Sequence, residues 1–533
     1  MRGKGPDGER SEPRTDADRA DLAEALERRA LTRDEARPEV ADRRHGAGRR
    51  TARENVADLV DPGSFVEYGA LAIAAQRARR DLRELLERTP ADGLVGGTAT
   101  VNGELFGDRA ACAVLSYDYT VLAGTQGAIG HRKKDRLFEL IERMRLPTVF
   151  FAEGGGGRPG DTDIAVVSAL ETRAFALWAR LSGLVPRIAV VAGRCFAGNA
   201  VIAGASDLIV ATEDSSLGMG GPAMIEGGGL GSVDPDDVGP IGMQAPNGVV
   251  DVRVADEPGA VAVTARLLSY FQGELATVDA PDQVRLRELV PERRRRAYDV
   301  HPVIETLTDA GSVIFLREEF GRGMVTALAR IEGRPLGVLA NNPTHLAGAI
   351  TSDGADKAAR FMQLCDAFGL PVVSLIDTPG MMVGPEAEAT ALVRHCSRLF
   401  VTGAALRVPF VAVILRKAYG LGAQAMAAGS LHEPLLTVGW PTAELGPMGL
   451  EGAVRLGFRR ELESIPDANE REQRVQELTA AAHDRAKALN AATLFELDDV
   501  IDPAETRHVV AATLAAAGTP TDREIGRRIV DTW

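Results

Sequence analysis

One short segment of this sequence occurs twice, and the repeat decides how the chain is organised. Residues 186–191 read Pro-Arg-Ile-Ala-Val-Val and residues 409–414 read Pro-Phe-Val-Ala-Val-Ile, an offset of 223 (409 − 186). Two more landmarks recur at an offset of 224, namely Ala123-Gly124-Thr125 with Ala347-Gly348-Ala349, and Glu153 with Asp377. Because three landmarks share nearly one offset, the sequence predicts two tandem copies of one fold.

Each copy alternates short apolar segments with glycine turns and helical segments. Residues 149–152 and 372–376 are apolar and run into glycine turns. Helices are expected to follow at 165–184 and 387–401. Buried apolar strands that alternate with helices are typical of a mostly parallel sheet, so the sequence predicts the α/β class.

Composition excludes several classes of protein. The chain has 533 residues, of which 45% are hydrophobic, so it can bury large cores and is neither disordered nor fibrous. Its net charge of −14 argues against nucleic-acid binding. The sequence holds neither a CxxC pair for a zinc ribbon nor an apolar run of about 18 residues for a membrane span. It shows no signal-peptide segment either, and we expect a cytoplasmic protein without a metal site.

The repeat and the charged stretches divide the chain. The predicted parts are, in order, a charged extension at 1–54, an N-terminal domain at 55–285 and a C-terminal domain at 286–533. Within the extension, residues 1–20 are expected to be disordered and residues 16–38 to be helical. The charged stretch 274–300 is interpreted as the linker between the domains, and its four arginines, Arg293–Arg296, as a solvated face.

A glycine turn follows the repeated strand in both copies. Residues 193–200 read Gly-Arg-Cys-Phe-Ala-Gly-Asn-Ala, and residues 416–423 read Arg-Lys-Ala-Tyr-Gly-Leu-Gly-Ala. Each turn opens a helix, and the first backbone N–H groups of a helix lack partners inside it. Together with the helix dipole they can stabilise an oxyanion, and small residues let a carbonyl oxygen approach the backbone. Two such turns at equivalent places favour a functional interpretation over tight packing alone.

Conventional catalytic motifs are absent from the sequence. It has no G-x-S-x-G elbow, no HExxH motif and no P-loop. Gly155, Gly157 and Gly160 meet the G-x-G-x-x-G spacing, but no acidic residue stands about 20 positions on to hold a ribose. We therefore expect an enzyme that works by oxyanion stabilisation with little acid–base chemistry from side chains.

The segment from Thr125 to Arg136 is a local basic cluster. Two interpretations stay open for it, a contact with phosphate groups or a solvated start of a helix.

A series of motifs resembles the carboxyltransferase subunit of biotin-dependent acyl-CoA carboxylases, from about residue 43 onward. The motifs are Thr51-Ala-Arg-Glu-Asn55, Leu59-Val-Asp-Pro-Gly-Ser-Phe-Val-Glu67, Pro246-Asn-Gly-Val-Val-Asp251, Ala340-Asn-Asn-Pro343, Asp356-Lys-Ala-Ala-Arg-Phe361, Asp377-Thr-Pro-Gly380, Arg416-Lys-Ala-Tyr-Gly420 and Trp440-Pro-Thr-Ala-Glu444. The resemblance implies two tandem crotonase-like domains. It also implies transfer of a carboxyl group from carboxybiotin to the α-carbon, or a vinylogous carbon, of an acyl-CoA.

The resemblance implies a role for each glycine turn. In the first, the backbone N–H groups of Ala197 and Gly198 would bind the thioester oxygen as an enolate forms. In the second, Leu421 and Gly422 would bind the ureido oxygen of biotin. Carboxybiotin would release CO₂, the biotin anion would take the α-proton, and the enolate would attack the CO₂. The other implied contacts are Gly155, Gly156, Lys133 and Arg136 with acyl-CoA, the two basic residues near its phosphates, Ala423 and Gln424 with the acyl group, and Tyr419 and Gly420 with biotin.

Three elements depart from the family pattern. The family's Asp-Ser-Gly-Gly-Ala-Arg is here Glu153-Gly-Gly-Gly-Gly-Arg158, and its Ala-Gly-Gly-Gly-like turn is here Phe196-Ala-Gly-Asn199. Its Tyr-Gly-Gly-Ala-Tyr is here Tyr419-Gly-Leu-Gly-Ala423. No change introduces proline, so the backbone donors are kept. Ala423 and Gln424 are expected to reshape the acyl pocket for a substrate longer or bulkier than acetyl-CoA.

The sequence implies partners and leaves alternatives open. It has no Met-Lys-Met biotinylation element and no ATP-binding glycine loop, so biotin is expected on a separate carrier chain, with a biotin carboxylase. By resemblance, the chain would form a homohexamer, a dimer of trimers, in which the CoA site of one chain faces the biotin site of another. The alternatives are a biotin-dependent acyl-CoA decarboxylase subunit, a crotonase-like hydratase or hydrolase without biotin, and a silent assembly subunit. A hydratase would need acidic side chains near the first turn.

Overall fold

The structure is a computed structural model that describes residues 19–164, 168, 170–276, 278–518 and 528–533. The disorder expected at the start of the chain therefore lies outside the described residues, apart from residues 19 and 20. Residue 20 already belongs to the first helix.

The first half of the chain is built on one mixed sheet. Its strands are β1 Val66–Glu67, β2 Leu94–Thr100, β3 Ala111–Tyr117, β4 Thr148–Phe151, β5 Arg187–Val191, β6 Arg194–Phe196, β7 Leu208–Thr212, β8 Ser216–Gly218 and β9 Val252–Val254. Among the described residues the sheet order is β1-β2-β3-β4-β5-β7-β9, and β6 pairs with β8 separately. The pairs from β1 to β3 are antiparallel and the pairs from β3 to β9 are parallel.

The second half repeats this arrangement. Its strands are β10 Ile314–Leu316, β11 Met324–Ile331, β12 Arg334–Asn341, β13 Val372–Thr378, β14 Phe410–Tyr419, β15 Leu436–Gly439, β16 Glu444–Gly446 and β17 Asp499–Val500. The order is β10-β11-β12-β13-β14-β15-β17, antiparallel up to β12 and parallel beyond it. The end of β14 pairs in parallel with β16, as β6 pairs with β8. The two sheets confirm the predicted α/β class.

Helices cover the sheets and form the connections. They are α1 Ala20–Ala30, α2 Pro38–Gly46, α3 Ala52–Leu59, α4 Leu82–Arg88, α5 Gly103–Phe106, α6 Ala128–Met144, α7 Ala174–Arg180, α8 Gly198–Gly204, α9 Pro222–Gly227, α10 Ile241–Gln244, α11 Glu257–Gln272, α12 Leu286–Leu289, α13 His301–Leu307, α14 Ser352–Ala367, α15 Pro385–Glu388, α16 Leu392–Ala404, α17 Gly420–Met426, α18 Leu450–Gly457, α19 Arg459–Glu463, α20 Ala468–Arg485, α21 Ala488–Thr493 and α22 Thr506–Ala517.

The repeat seen in the sequence is also a repeat of backbone conformation. A single 3₁₀ turn precedes α6 at Leu122–Gly124 and precedes α14 at Leu346–Gly348, 224 residues later (346 − 122). In both turns an alanine adopts a left-handed conformation, with φ 56° at Ala123 and 55° at Ala347. Since a non-glycine residue with positive φ is uncommon, the shared strain marks the two turns as copies of one feature.

Three local expectations need correction. The helix predicted at 165–184 is α7, Ala174–Arg180, and residues 165–167 and 169 lie outside the described part. The helix predicted at 387–401 is broken into α15 and α16, because Ala391 adopts a φ of 58°. The arginine run is not simply solvated, since Arg294 pairs with the buried carboxylate of Glu444. Of the helix predicted at 16–38, the structure has α1 at Ala20–Ala30 and the first residue of α2 at Pro38, and residues 16–18 lie outside the described part. The division of the chain into an extension and two domains remains a prediction.

A buried ion pair and a buried hydrogen bond join the two halves. In the ion pair, the Arg317 Nε atom donates to the Asp251 carboxylate at 3.1 Å, and in the hydrogen bond, Arg360 donates to the backbone carbonyl of Asp207 at 2.6 Å. All four residues are buried. Removing one partner from such a pair leaves an unpaired buried charge, which is strongly destabilising.

None of the helices in the described part of the chain combines the length and the hydrophobicity that a membrane span requires.

Candidate active site

The glycine loop that follows β4 meets the start of α8 in the first half. The Gln126 N–H donates to the Gly156 carbonyl at 2.7 Å, and the Arg158 N–H donates to the Gln126 carbonyl at 3.0 Å. A Cβ atom on Gly156 would lie 2.7 Å from the Ala197 Cβ, and Gly156 has φ 88°. The loop therefore needs glycine here, both for its conformation and for its close approach to α8.

Where the glycine loop meets α8, two backbone N–H groups lack the hydrogen bond to a carbonyl that such groups make within helices and strands. The Gly157 N–H has no acceptor among the described residues. The carbonyl of the same peptide, on Gly156, accepts from the Gln126 N–H. Gly198 is the first residue of α8, where a backbone N–H has no acceptor inside the helix. We call the Gly156–Gly157 peptide together with Gly198 the first half-site.

The structure corrects one predicted donor of this half-site. The Ala197 N–H donates to the Gly218 carbonyl at 3.2 Å, which continues the pairing of β6 with β8. Ala197 holds a φ of 52° and carries the chain from β6 into α8. Its N–H is thus already used within the chain, and Gly198 is the donor that remains. Gly155, also predicted at the substrate, is exposed and donates its N–H to the Ala123 carbonyl at 3.1 Å.

The second half contains the same arrangement of backbone. The Ile350 N–H donates to the Gly380 carbonyl at 3.1 Å, and the Met381 N–H has no acceptor among the described residues. Leu421 stands in the first turn of α17, at the position equivalent to Gly198 (421 − 198 = 223). We call the Gly380–Met381 peptide together with Leu421 the second half-site.

Gly420 and Gly422 stand at positions of α17 where a larger side chain would be strained or would clash. Gly420 adopts a φ of 56°, close to the 52° of Ala197 in the first half. A Cβ atom on Gly422 would lie 2.7 Å from the Gly380 Cα atom. Gly422 therefore lets α17 pack directly on the loop that follows β13, so that the two segments of the second half-site touch.

A cavity of about 830 Å³ opens beside the second half-site. Its lining includes four predicted site residues, namely Gly420, Leu421, Ala423 and Gln424. Its apolar wall includes Leu431, Leu445 and Leu494. Ala423 is buried and Gln424 is exposed. The structure thus brings Gly420, which the sequence assigned to biotin, together with Ala423 and Gln424, which it assigned to the acyl group.

Behind the second half-site lies a buried polar cluster that sequence reasoning missed. The Tyr419 hydroxyl donates to the Glu444 carboxylate at 3.0 Å, and the His483 Nδ1 atom lies 3.1 Å from the same carboxylate. Burial raises the pKa of Tyr419, and the adjacent Glu444 raises it further. Tyr419 therefore stays protonated and faces Glu444 rather than the cavity. Glu444 ends one of the family motifs found in the sequence, so its importance could have been predicted. His483 belongs to no motif of the sequence that we identified.

The two predicted phosphate contacts of the first half differ in placement. Lys133 is only 8% exposed, and its ammonium donates to the carbonyls of Ala91, at 3.0 Å, and Leu94. Burial lowers its pKa to about 8. This corrects the expectation for Lys133, because an ammonium held by two backbone carbonyls in the interior does not reach a phosphate. Arg136 is exposed on the same helix.

One acidic group lies next to the glycine loop. Burial raises the pKa of Glu153 to about 7. Its carboxylate accepts two hydrogen bonds from Arg44 of α2, at 3.1 and 2.8 Å. Arg44 also lies 3.9 Å from Glu257. The two hydrogen bonds from Arg44 anchor the extension to the glycine loop through this carboxylate.

The comparisons with known proteins agree with this geometry. The family model of the carboxyl transferase domain matches residues 43–527. The chain belongs to the carboxyl transferase family. Curated relatives in this family include the methylmalonyl-CoA carboxyltransferase 12S subunit of Propionibacterium freudenreichii subsp. shermanii, 32% identical over 490 residues, which are 90% of each chain. The biotin-dependent long chain acyl-coenzyme A carboxylase beta4 subunit of Mycobacterium tuberculosis is 33% identical over 505 residues, 91% of this chain and 92% of the relative.

Solved structures of the family have the same fold. A single-chain, multi-domain long-chain acyl-CoA carboxylase is 57% identical with a TM-score of 0.89 over 93% of this chain, which spans 49% of that larger protein. The transcarboxylase 12S structure is 30% identical with a TM-score of 0.81, over 94% of this chain and 95% of that chain. These carboxyl transferases confirm the predicted crotonase-like fold.

Membership in the family settles the class of chemistry. The chain is a carboxyltransferase of the biotin-dependent acyl-CoA carboxylases and acts on coenzyme A thioesters. Within the described residues, no group of three His, Cys, Asp or Glu side chains is placed to hold a metal ion.

Proposed function

We propose that this chain transfers a carboxyl group from carboxybiotin, carried on a partner chain, to the α-carbon of an acyl-CoA. The observation that carries the proposal is the matched pair of half-sites, one in each half of the chain. Each presents a loop N–H, at Gly157 and Met381, that has no acceptor within the part of the chain that the structure describes, beside the start of a short helix. Two oxyanion sites are what the reaction needs, one for a thioester enolate and one for the ureido oxygen of biotin.

The first half-site suits the acyl-CoA thioester. The N–H groups of Gly157 and Gly198 would hold the thioester oxygen as negative charge develops on it. Neither group needs a side chain, and Gly156 and Gly198 leave room for the oxygen to approach. Arg136, exposed on α6, is a basic residue available for the phosphates of coenzyme A.

The second half-site suits biotin. Biotin, when bound there, supplies the carboxyl group and the base that removes the α-proton. The Leu421 N–H would hold its ureido oxygen, and the cavity wall at Leu431 and Leu494 would receive the apolar part of the ring. Glycine at position 420 and alanine at 423 leave the approach open. The donor set and the apolar wall therefore fit the group.

Two features support a substrate longer than acetyl-CoA. Ala423 stands where the family pattern has tyrosine, and it lines the cavity together with Gln424. The 57% identical neighbour is a long-chain acyl-CoA carboxylase, and the M. tuberculosis relative is a long-chain acyl-CoA carboxylase subunit. We propose a long-chain acyl-CoA as the substrate class.

We also propose a homohexamer that works with a biotin carboxylase and a biotin carrier. The transcarboxylase 12S structure is described as a hexamer assembly on a multienzyme core, with methylmalonyl-CoA bound. Each half of the present chain carries one half-site, and the two lie on different sheets. Assembly of several copies would let the acyl half-site of one chain face the biotin half-site of another.

A reverse assay tests the reaction class without the partner chains. The purified protein is incubated with free biotin and an alkylmalonyl-CoA labelled with ¹⁴C in its free carboxyl group. Label that appears in carboxybiotin supports the proposal, and its rate over a series of chain lengths gives the substrate class. Release of free coenzyme A at a rate that does not depend on biotin would instead indicate a hydrolase. A biotin-dependent preference for net decarboxylation in the complete complex would indicate the decarboxylase.

A further inference from the structure

Behind the first half-site lies a buried lysine that forms no ion pair with any carboxylate of the described residues. Lys134 of α6 is fully buried, and its ammonium donates to the Gln126 Oε1 atom at 2.5 Å. It also lies over two aromatic rings, 5.5 Å from the centre of Tyr117 and 5.8 Å from that of Phe175. A buried charge is costly unless it is paired, so this placement calls for a reason.

The lysine is the first member of a chain of hydrogen bonds that ends at the glycine loop. The Gln126 amide donates to the Asn199 Oδ1 atom at 3.0 Å, and the Gly156 N–H donates to the same oxygen at 3.1 Å. The Asn199 amide donates to the carbonyls of Gly124 and Glu153, at 3.3 and 3.4 Å. Gln126 and Asn199 are both buried.

These contacts fix the glycine loop from one side. The Gly156 N–H is held by the Asn199 side chain, and the Gly156 carbonyl is held by the Gln126 backbone N–H. The peptide that follows Gly156 is trans, so its N–H, on Gly157, is directed away from that carbonyl. A glycine-rich loop is otherwise free to take many conformations, and an oxyanion donor is effective only when it is held in place.

The second half folds in the same way without this chain of contacts. By the offsets of the repeat, Gln126 corresponds to Ile350, Lys134 to Ala358 and Asn199 to Gly422 (350 − 126, 358 − 134 and 422 − 199). The backbone bond from Ile350 to the Gly380 carbonyl is nevertheless present. The three polar residues are therefore not a requirement of the fold and belong to the first half-site alone.

We propose that Lys134, acting through Gln126 and Asn199, is a positioning residue that holds the Gly157 N–H for the acyl-CoA oxyanion. The inference rests on the proposed function of the first half-site. The Lys134 nitrogen donates to the Gln126 Oε1 atom whether or not it carries the extra proton. This contact fixes which way the Gln126 amide faces, so that its NH₂ group is the one that meets Asn199. Burial lowers the pKa of Lys134 to about 7, with the carboxylates of Asp135 and Asp92 opposing the change.

The first test removes the hydrogen-bond donor at position 134. Lys134→Met is expected to lower kcat for carboxyl transfer about 10- to 100-fold, because misplacement of a catalytic group by about 1 Å can cost about 100-fold. The dissociation constant for the acyl-CoA, measured by calorimetry, is expected to stay within about twofold. Arg143→Met, exposed at the C-terminal end of the same helix, is the matched control and is expected to keep wild-type kinetics. A purely structural lysine would lower Tm and leave kcat per folded site unchanged, and that result would overturn the inference.

The second test converts the first half to the residues of the second. The variant Gln126→Ile, Lys134→Ala, Asn199→Gly takes residues that the same backbone already accepts at 350, 358 and 422. We expect a folded protein with low kcat and with faster amide hydrogen exchange in peptides covering 153–158. Wild-type kcat together with wild-type exchange would overturn the inference. If the wild-type protein transfers no carboxyl group at all, the proposed function fails, and unchanged exchange in the variant would separately show that the network does not order the loop.

Discussion

Lys133 and Lys357 stand 224 residues apart (357 − 133) and make the same contact. Each is buried, and each donates its ammonium to two backbone carbonyls. Lys357 binds the carbonyls of Arg317 and Phe320 at 2.8 and 3.0 Å, as Lys133 binds those of Ala91 and Leu94. A contact present in both halves serves the duplicated fold rather than the chemistry of either half-site.

This equivalence separates two basic residues of α6. Lys133→Met leaves two buried carbonyls without a donor, so we expect it to lower the free energy of unfolding by about 1–3 kcal/mol while the KM for acyl-CoA stays unchanged. Arg136→Gln is expected to do the opposite, raising KM and leaving Tm within error, since Arg136 is exposed. Thermal melts and steady-state kinetics of both variants check this. A raised KM in a stable Lys133→Met protein would restore the phosphate contact for Lys133.

The loop donor of the first half-site has a matched pair of variants. A Cβ atom on Gly157 would meet nothing within 4 Å, so Gly157→Ala is expected to be tolerated with near wild-type kcat. Gly157→Pro removes the N–H itself, and loss of one oxyanion donor costs about 100- to 1000-fold in rate. Carboxyl-transfer kinetics of the two variants compare them directly. Equal rates would show that the Gly157 N–H does not contact the reacting oxygen.

The acyl preference is tested at the cavity beside α17. Ala423→Tyr fills space that the buried alanine leaves, and we expect it to lower kcat/KM for long acyl-CoA relative to propionyl-CoA. Each methylene that no longer fits an apolar pocket is worth about 1–3 kcal/mol of discrimination. Gln424→Ile is the companion variant, because Gln424 lines the same cavity. Chain-length ratios that do not change in either variant would place the acyl pocket elsewhere.

The buried lysine gives the protein a pH-dependent stability. Burial lowers the pKa of Lys134 from 10.5 to about 7, so between these values the unfolded chain binds a proton that the folded chain lacks. Stability of the wild type relative to Lys134→Met is therefore expected to rise as pH increases from 7 to 9, by at most about 1.4 kcal/mol per pH unit. Urea titrations of both proteins at the two pH values measure this. The variant keeps Lys133 and Lys357, whose pKa values are also lowered, so their contribution cancels.

The fold could be predicted from the sequence because short apolar segments indicate buried strands and the repeat indicates a duplicated domain. The two apolar segments 149–152 and 372–376 lie in the buried central strands β4 and β13, and the glycine turns follow them. The repeat in the sequence is also a repeat of backbone hydrogen bonds. The Gln126 N–H donates to the Gly156 carbonyl, and 224 residues later the Ile350 N–H donates to the Gly380 carbonyl.

The sequence could not show which backbone N–H groups already donate a hydrogen bond within the chain. Nothing in the letters indicates that the Ala197 N–H is taken by the Gly218 carbonyl, since that bond depends on the pairing of β6 with β8. Asn199 was visible as a departure from the family pattern, but its partner Gln126, and Lys134 that binds Gln126, lie far from it in sequence. Tertiary contacts of this kind decide the role of a polar residue and have no local signature.

The central claim is that the second half-site holds biotin through its backbone while the first holds the thioester. Transfer of ¹⁴C from an alkylmalonyl-CoA to free biotin measures it most directly, in wild type, Leu421→Ala and Leu421→Pro. Proline is tolerated in the first turn of a helix but has no N–H. We predict transfer by the wild type and by Leu421→Ala, and a loss of about 100-fold or more in Leu421→Pro, with acyl-CoA affinity unchanged. Wild-type transfer in a folded Leu421→Pro protein, or label release that does not require biotin, would contradict the account.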